Sequence, residues 1–254
     1  MYQPLIKFHP HPAIITQVLR IFAQTLKTIS DMENNNTCWT MPRIGDQAPE
    51  FRAMTTHGKL NFPQDYAGKW KILFSHPADF TPVCTTEFIS FAKMQKEFEE
   101  LNTQLVGLSV DSLSSHIAWV RNIEEKIEWD GNKNVKIGFP IIVDLSKAVS
   151  KLYGMIMPGE ANNACVRAVF FIDPADKIRA IIYYPLVLGR NFEEIKRVIV
   201  GLQTADKHDV ALPANWTPGK EVVLHYPTTT EDVEKRCAEE GITCSDWYLC
   251  TRKL

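Results

Sequence analysis

The stretch His76-Pro77-Ala78-Asp79-Phe80-Thr81-Pro82-Val83-Cys84-Thr85-Thr86-Glu87 joins two segments of different period. Before it, residues 71–76 (KILFSH) are a short apolar run, which predicts a buried strand. After it, Phe88, Phe91, Met94, Phe98 and Leu101 recur three or four residues apart, which predicts an amphipathic helix over 82–102. The junction between a strand end and a helix start is where active sites collect in open α/β sheets. Cys84 falls in the first helical turn, where unpaired N–H groups and the helix dipole favour an anion. A thiol in such a place ionises more readily than a free one. Thr81 can turn its hydroxyl to the same spot, Pro82 suits the first helical position, and Pro77 stiffens the loop over the sulfur. By residue type a cysteine is more often an inert core residue. The spacing Pro77-x-x-x-Thr81-x-x-Cys84, in which each element serves a thiolate, points instead to a reactive one.

Working outward, residues 104–110 predict a second buried strand and 114–128 a helix with Ser114 as its cap. Residues 140–143 read as a strand, and 146–153 as a short helix ended by Gly154. Residues 166–173 and 178–184 flank the turn Pro174-Ala175-Asp176-Lys177 as a β-hairpin, and 192–203 read as a helix. This alternation is that of an α/β domain, with helices on both faces of a central sheet, over residues 41–203. Residues 204–254 carry Pro213, Pro218 and Pro227 and little periodicity. They read as a C-terminal arm that packs on another surface. Residues 1–40 read as a leader or non-native extension: they hold no acid before Asp31, and Ala13 to Ile29 is amphipathic. Met41 is the expected start of the working protein, which would then be cytoplasmic. An organellar transit peptide is the alternative.

The 254 residues are 45% hydrophobic and 23% charged, as in a globular chain, with a net charge of -2. That charge offers no footprint for nucleic acid or an anionic membrane, and no apolar run approaches the ~18 residues of a membrane span. Six cysteines, at 38, 84, 165, 237, 244 and 250, are too few for a disulfide scaffold. They contain no CxxC, which argues against a disulfide reductase. A zinc site from Cys237, Cys244 and Cys250 fits poorly with the usual ligand spacings. No metal, haem or flavin is expected.

The string FSHPADFTPVCTTEF, residues 74–88, resembles the active-site motif of the peroxiredoxins. It looks like the one-Cys (peroxiredoxin-6-like) subfamily, in its archaeal and bacterial form with C-terminal cysteines. The likeness runs from Met41 to Cys250 and includes Pro49-Glu50-Phe51, VRAVFFIDP (166–174) and LGRNFEEI (188–195). It implies a thioredoxin-like fold with a C-terminal arm used in dimerisation. It also implies a thiol-dependent peroxidase that reduces hydrogen peroxide and organic hydroperoxides through a cysteine sulfenic acid, in antioxidant defence and redox homeostasis. The implied partners are the peroxide, a thioredoxin-like or glutathione-like reductant, and further copies of the chain as a homodimer or a ring of dimers. A peroxide sensor or holdase chaperone with the same cysteine is the alternative.

The resemblance places Cys84 as nucleophile and Arg167 beside its sulfur. Thr81 and the Cys84 backbone N–H would be donors to the peroxide oxygens. Pro77 covers the site, Glu87 orients Arg167, and Arg190 matches a second family arginine. His76 lies near the sulfur in relatives, although by residue type it reads first as a structural histidine. Cys250, with Cys244 as the alternative, would resolve the sulfenic acid, and an inter-subunit disulfide between Cys84 and Cys250 is expected. Cys165 reads as packing. The lipase-type Gly-x-Ser-x-Gly of some relatives is replaced by Ala67-Gly68-Lys69-Trp70-Lys71, so phospholipase activity by that route is not expected.

Overall fold

In the central strand Ile72 and Phe74 point to one face and Leu73 to the other, all fully buried. A strand with no polar face must be covered on both sides. In the computed structural model, which describes residues 41–254, this strand (β3, Trp70–Ser75) lies inside a seven-stranded sheet. The expectations for residues 1–40, including Cys38, lie outside the described residues, as does the side chain of Cys237.

Among the described residues the first element is a hairpin, β1 (Phe51–Thr55) and β2 (Gly58–Phe62), which leads into β3. After β3 come helix α1 (Pro82–Glu100), β4 (Thr103–Ser109) and helix α2 (Leu113–Lys126). A two-stranded ribbon follows, β5 (Glu128–Trp129) with β6 (Asn132–Lys133), and then β7 (Ile141–Val143) and the short helix α3 (Ala148–Leu152). The second hairpin is β8 (Arg167–Ile172) and β9 (Ile178–Tyr184), followed by helix α4 (Phe192–His208). The sheet order is β2-β1-β7-β4-β3-β8-β9; β3, β4 and β7 run parallel and the hairpins add antiparallel edges.

Two cores follow. Ile72, Phe74, Leu105, Ile141, Val169 and Phe171 face α1, α2 and α4, which contribute Phe88, Phe91, Trp119, Ile123, Ile195 and Ile199. On the other face Leu73, Val106, Ile142 and Phe170 meet α3 through Val149, together with Tyr153, Leu60 and Phe62.

Three expectations are corrected. Ser112, not Ser114, caps α2, accepting from the Ser115 N–H at 3.2 Å; Ser114 falls inside the first turn. Helix α4 runs to His208, so the boundary placed between 203 and 204 falls inside it. Asn191 caps its start and Lys207 and His208 close it near the negative dipole end. The arm is also more regular than its composition suggests. It holds β10 (Val222–Val223), helix α5 (Thr230–Ala238), β11 (Ile242–Asp246) and β12 (Leu249–Arg252), with the strands forming a small sheet in the order β10-β12-β11. Its own core is small: Val210, Val222, Leu224 and Cys250.

Candidate active site

Strand β3 ends at Ser75, and the next residues, His76 and Pro77, are buried. The chain turns through Phe80, whose φ of 55° lies in the left-handed region, and enters α1 with Thr81 as N-cap and Pro82 in the first turn. Cys84 is thereby carried one turn into the helix and is fully buried. Positive φ in a bulky residue is uncommon and costs energy; here it reverses the chain between strand and helix within a few residues.

Strand β8 pairs with β3 and begins at Arg167, so the guanidinium starts next to the β3 end from which Cys84 hangs. Arg167 is 2% exposed. Its Nη1 donates to Cys84 Sγ at 3.2 Å and to Glu87 Oε2 at 2.8 Å. Its Nε and Nη2 both donate to the Leu186 carbonyl, at 3.2 and 2.7 Å. That carbonyl grips one side of the planar fork, while the other side serves sulfur and carboxylate. Glu87 lies one turn after Cys84 and is 2% exposed. Its second oxygen accepts from the Arg190 backbone N–H at 2.9 Å. Arg190 lies over the rings of Phe74 and Phe91 at 5.4 and 5.8 Å, and its Nη2 donates to the Ser75 carbonyl. Burial pushes the pKa of Arg190 down; Glu87 opposes that and Arg167 adds to it.

Two arginines and one glutamate leave this buried cluster one positive charge in excess, which a Cys84 thiolate balances. Burial of a charge is costly unless it is paired. The Arg167 guanidinium sets that positive charge directly against the sulfur, at 3.2 Å.

The structure links Cys84, Arg167, Glu87 and Arg190 in one chain of contacts, sulfur to Arg167, Arg167 to Glu87 and Glu87 to Arg190. Thr81 is beside them but not as a donor. Its hydroxyl proton is committed to the Ala78 carbonyl at 2.8 Å, so its oxygen is left to accept. His76 makes its polar contact with Asp79 at 2.9 Å, and its ring packs on Phe88 and Trp119. Burial pushes its pKa down against the pull of Asp79, as a structural histidine kept neutral.

The resolving candidates differ from the expected arrangement. Cys244 and Cys250 are joined to each other, with Cα atoms 4.0 Å apart, as facing residues of β11 and β12. Cys250 is therefore not paired with Cys84. Its partner faces it across the same antiparallel ladder, a pairing that six residues of separation and the Trp247-Tyr248 turn make geometrically direct. Cys165 is buried, and burial pushes its thiol up to about 12.

Sequence reasoning missed Asp79, His116 and Trp119. Asp79 was visible as a polar residue inside the motif. His116 and Trp119 lie on α2, and only the fold brings them to the loop. A cavity of about 560 Å³ opens along the start of α1, with Phe80, Thr81, Val83, Trp119 and Trp129 in its wall. Its surface is largely apolar, and it adjoins the helix turn that carries the sulfur.

Comparison with known proteins gives a consistent result. Residues 44–181 match the AhpC/TSA family, and residues 201–240 match the C-terminal domain of 1-Cys peroxiredoxin. A peroxiredoxin of Methanosarcina mazei is 57% identical over 215 residues, 84% of this chain and 98% of that protein. One of Aquifex aeolicus is 50% identical over 225 residues, 85% and 98% of the two. Among solved structures, a yeast mitochondrial 1-Cys peroxiredoxin, studied for thiol resolution via glutathione/thioredoxin systems, superposes with a TM-score of 0.72. It is 39% identical, over 84% of this chain and 100% of that one. A cysteine-to-serine mutant of the peroxiredoxin 6 of Arenicola marina gives 0.74 at 32% identity, over 84% and 98%.

Proposed function

The chain belongs to the AhpC/TSA family of peroxiredoxins, thiol-dependent peroxidases with a thioredoxin-like fold, and from that premise we propose that hydrogen peroxide and organic hydroperoxides are reduced at Cys84. The observation that carries this reading is the 3.2 Å contact between Arg167 Nη1 and Cys84 Sγ inside a cluster that is neutral only with sulfur ionised.

The thiolate attacks one peroxide oxygen in line with the O–O bond. That bond breaks, the S–O bond forms, and the distal oxygen leaves with the electron pair and takes a proton as water or alcohol. Cys84 is then a sulfenic acid. Charge moves from sulfur to the distal oxygen, so Arg167 and the backbone N–H groups of the first α1 turn stabilise both ends of the path. Thr81, with its proton held by Ala78, accepts a hydrogen bond from the peroxide O–H and orients it. An alkyl group on the peroxide is accommodated by the apolar cavity along Thr81 and Val83.

The Cys244–Cys250 bond supports a two-step resolution. The Cys250 thiol attacks the sulfenic sulfur and releases water. Cys244 then attacks Cys250, the Cys84 thiolate leaves, and the hairpin disulfide remains for an external thioredoxin-like or glutathione-like thiol to reduce. Exposed Tyr226, Trp247 and Tyr248 on the arm support an interface between copies, through which Cys250 of one chain serves Cys84 of another. The test is steady-state peroxide consumption with a dithiol reductant. Sustained turnover supports the peroxidase; one stoichiometric oxidation without turnover would favour a peroxide sensor.

A further inference from the structure

Next to the reactive helix lies a second buried cluster that the mechanism above does not use: His76, Asp79 and His116. His76 and His116 are fully buried and Asp79 is 7% exposed. The Asp79 carboxylate accepts from His116 Nδ1, at 2.8 Å to Oδ2 and 3.1 Å to Oδ1, and from His76 Nε2 at 2.9 Å. The other nitrogen of His116, Nε2, lies 3.2 Å from the Ile142 carbonyl oxygen. A carbonyl can only accept. With a carboxylate on one side of the ring and a carbonyl on the other, both nitrogens of His116 donate, which is the hydrogen-bonding pattern of the imidazolium. His76 differs: its Nε2 faces Asp79, while its Nδ1 is buried without a partner.

Among the charged side chains that act on His76, His116 is the only base, beside the acids Asp79 and Asp111; the Arg190 guanidinium lies on the Ser75 carbonyl, one residue before it. The loop supplies Asp79. The turn after β4 supplies Asp111, which accepts from the Asp79 backbone N–H at 3.0 Å and from the Ser109 hydroxyl at 2.7 Å. Helix α1 presents Phe88, and helix α2 presents His116 and Trp119.

We propose that His116 is a positioning residue whose imidazolium neutralises Asp79 and so holds His76 neutral, protonated on Nε2, beside the reactive helix. Asp79 carries one negative charge. While His116 balances it, His76 has no reason to bind a second proton in a site that penalises charge. Two observations agree with this balance. Burial holds the pKa of His76 down despite its carboxylate neighbour. Burial also works against ionised Asp79, yet hydrogen bonds from His116 and His76 keep its carboxyl well below the ordinary carboxylate range. The consequence for catalysis rests on the peroxidase reading. A neutral His76 leaves Arg167 and Arg190 as the cations nearest Cys84, so no histidine titration enters the rate near neutral pH.

The test reads imidazole states by ¹⁵N NMR on the full chain, which needs no turnover, and peroxide consumption against pH in parallel. The wild type should show His116 protonated on both nitrogens and His76 on Nε2 alone from about pH 6 to 8. His116→Gln keeps a donor but removes the cation. His76 should then become doubly protonated at the acidic end. The rate should acquire an inflection in that window, falling roughly threefold below it, because an added cation makes the thiolate a weaker nucleophile. Adding Asp79→Asn to His116→Gln removes the charge that draws the proton, and should return His76 to the neutral form. A neutral His116 or a charged His76 in the wild type would overturn the proposal, even if the variants do not fold. So would unchanged His76 signals in His116→Gln, or one metal ion per chain bound by these residues in the purified protein. Loss of peroxidase activity with the imidazole states as described would count against the peroxidase reading alone.

Discussion

Arg167 Nη1 lies 3.2 Å from the sulfur of Cys84, although 83 residues of chain separate the two. The pairing of β3 with β8 is what closes that distance, since Cys84 follows the end of one strand and Arg167 begins the other. The guanidinium is held from behind by the Leu186 carbonyl and from the side by Glu87, so its position does not depend on substrate.

Cys84→Ser should abolish peroxide consumption while leaving the fold intact. Serine is close in size to cysteine but is not ionised at neutral pH. The checks are peroxide disappearance with reductant and the circular dichroism spectrum. Activity within a few-fold of wild type would end the mechanism.

Arg167→Lys keeps the charge but loses the planar fork that serves sulfur, Glu87 and Leu186 together. We expect a fall in kcat/KM of about 10²-fold or more. Arg167→Ala should also slow alkylation of Cys84 by iodoacetamide at neutral pH. If alkylation is unchanged in that variant, the arginine does not support the thiolate.

Glu87→Gln leaves two buried arginines facing one thiolate. Removing one partner of a buried ion pair costs about 3–5 kcal/mol. Chemical denaturation should show a loss of that order, larger than for Glu97→Gln on the exposed face of α1. Equal losses would mean that Glu87 is not paired as described.

Cys165 should resist alkylation in the native chain. Burial raises its pKa to about 12, from an ordinary value near 9.0. A raised folded-state pKa contributes stability that is present below the unfolded value and is lost as pH rises from about 9 toward 12. Mass spectrometry after iodoacetamide treatment at pH 8 should find Cys84 modified and Cys165 free.

Peroxide treatment of the reduced chain should yield the Cys244–Cys250 disulfide as the end product. In Cys244→Ser a cross-linked dimer through Cys84 and Cys250 should accumulate on non-reducing gels, because the second thiol that would release Cys84 is gone. No cross-link in that variant, with turnover intact on a small thiol, would mean that an external thiol reduces Cys84 directly.

The strand and helix around Cys84 were legible because their patterns are strong: the unbroken apolar run Ile72-Leu73-Phe74 within 71–76, and the three-to-four repeat of Phe88, Phe91, Met94 and Phe98. The motif named its own nucleophile, since Thr81, Pro82 and Cys84 act within one loop and one helical turn. The hairpin of β1 and β2 was legible in principle, with Gly58 at φ 102° closing a tight turn between alternating runs. The arm was not, because its strands are short and their apolar positions few.

What one chain segment encodes, the order of residues determined by itself: the strand–loop–helix, the buried thiol at a helix start, and the α/β alternation. What depends on residues far apart in sequence, only the tertiary structure decided. Arg167 meets Cys84 through strand pairing, and His116 meets Asp79 because α2 packs beside the loop. Over a much shorter span, Cys244 meets Cys250 because β11 and β12 pair in that register. Thr81 is the instructive case. The sequence placed its hydroxyl near the sulfur, but whether it donates or accepts depends on a single carbonyl, that of Ala78, whose direction is set by the turn through Phe80.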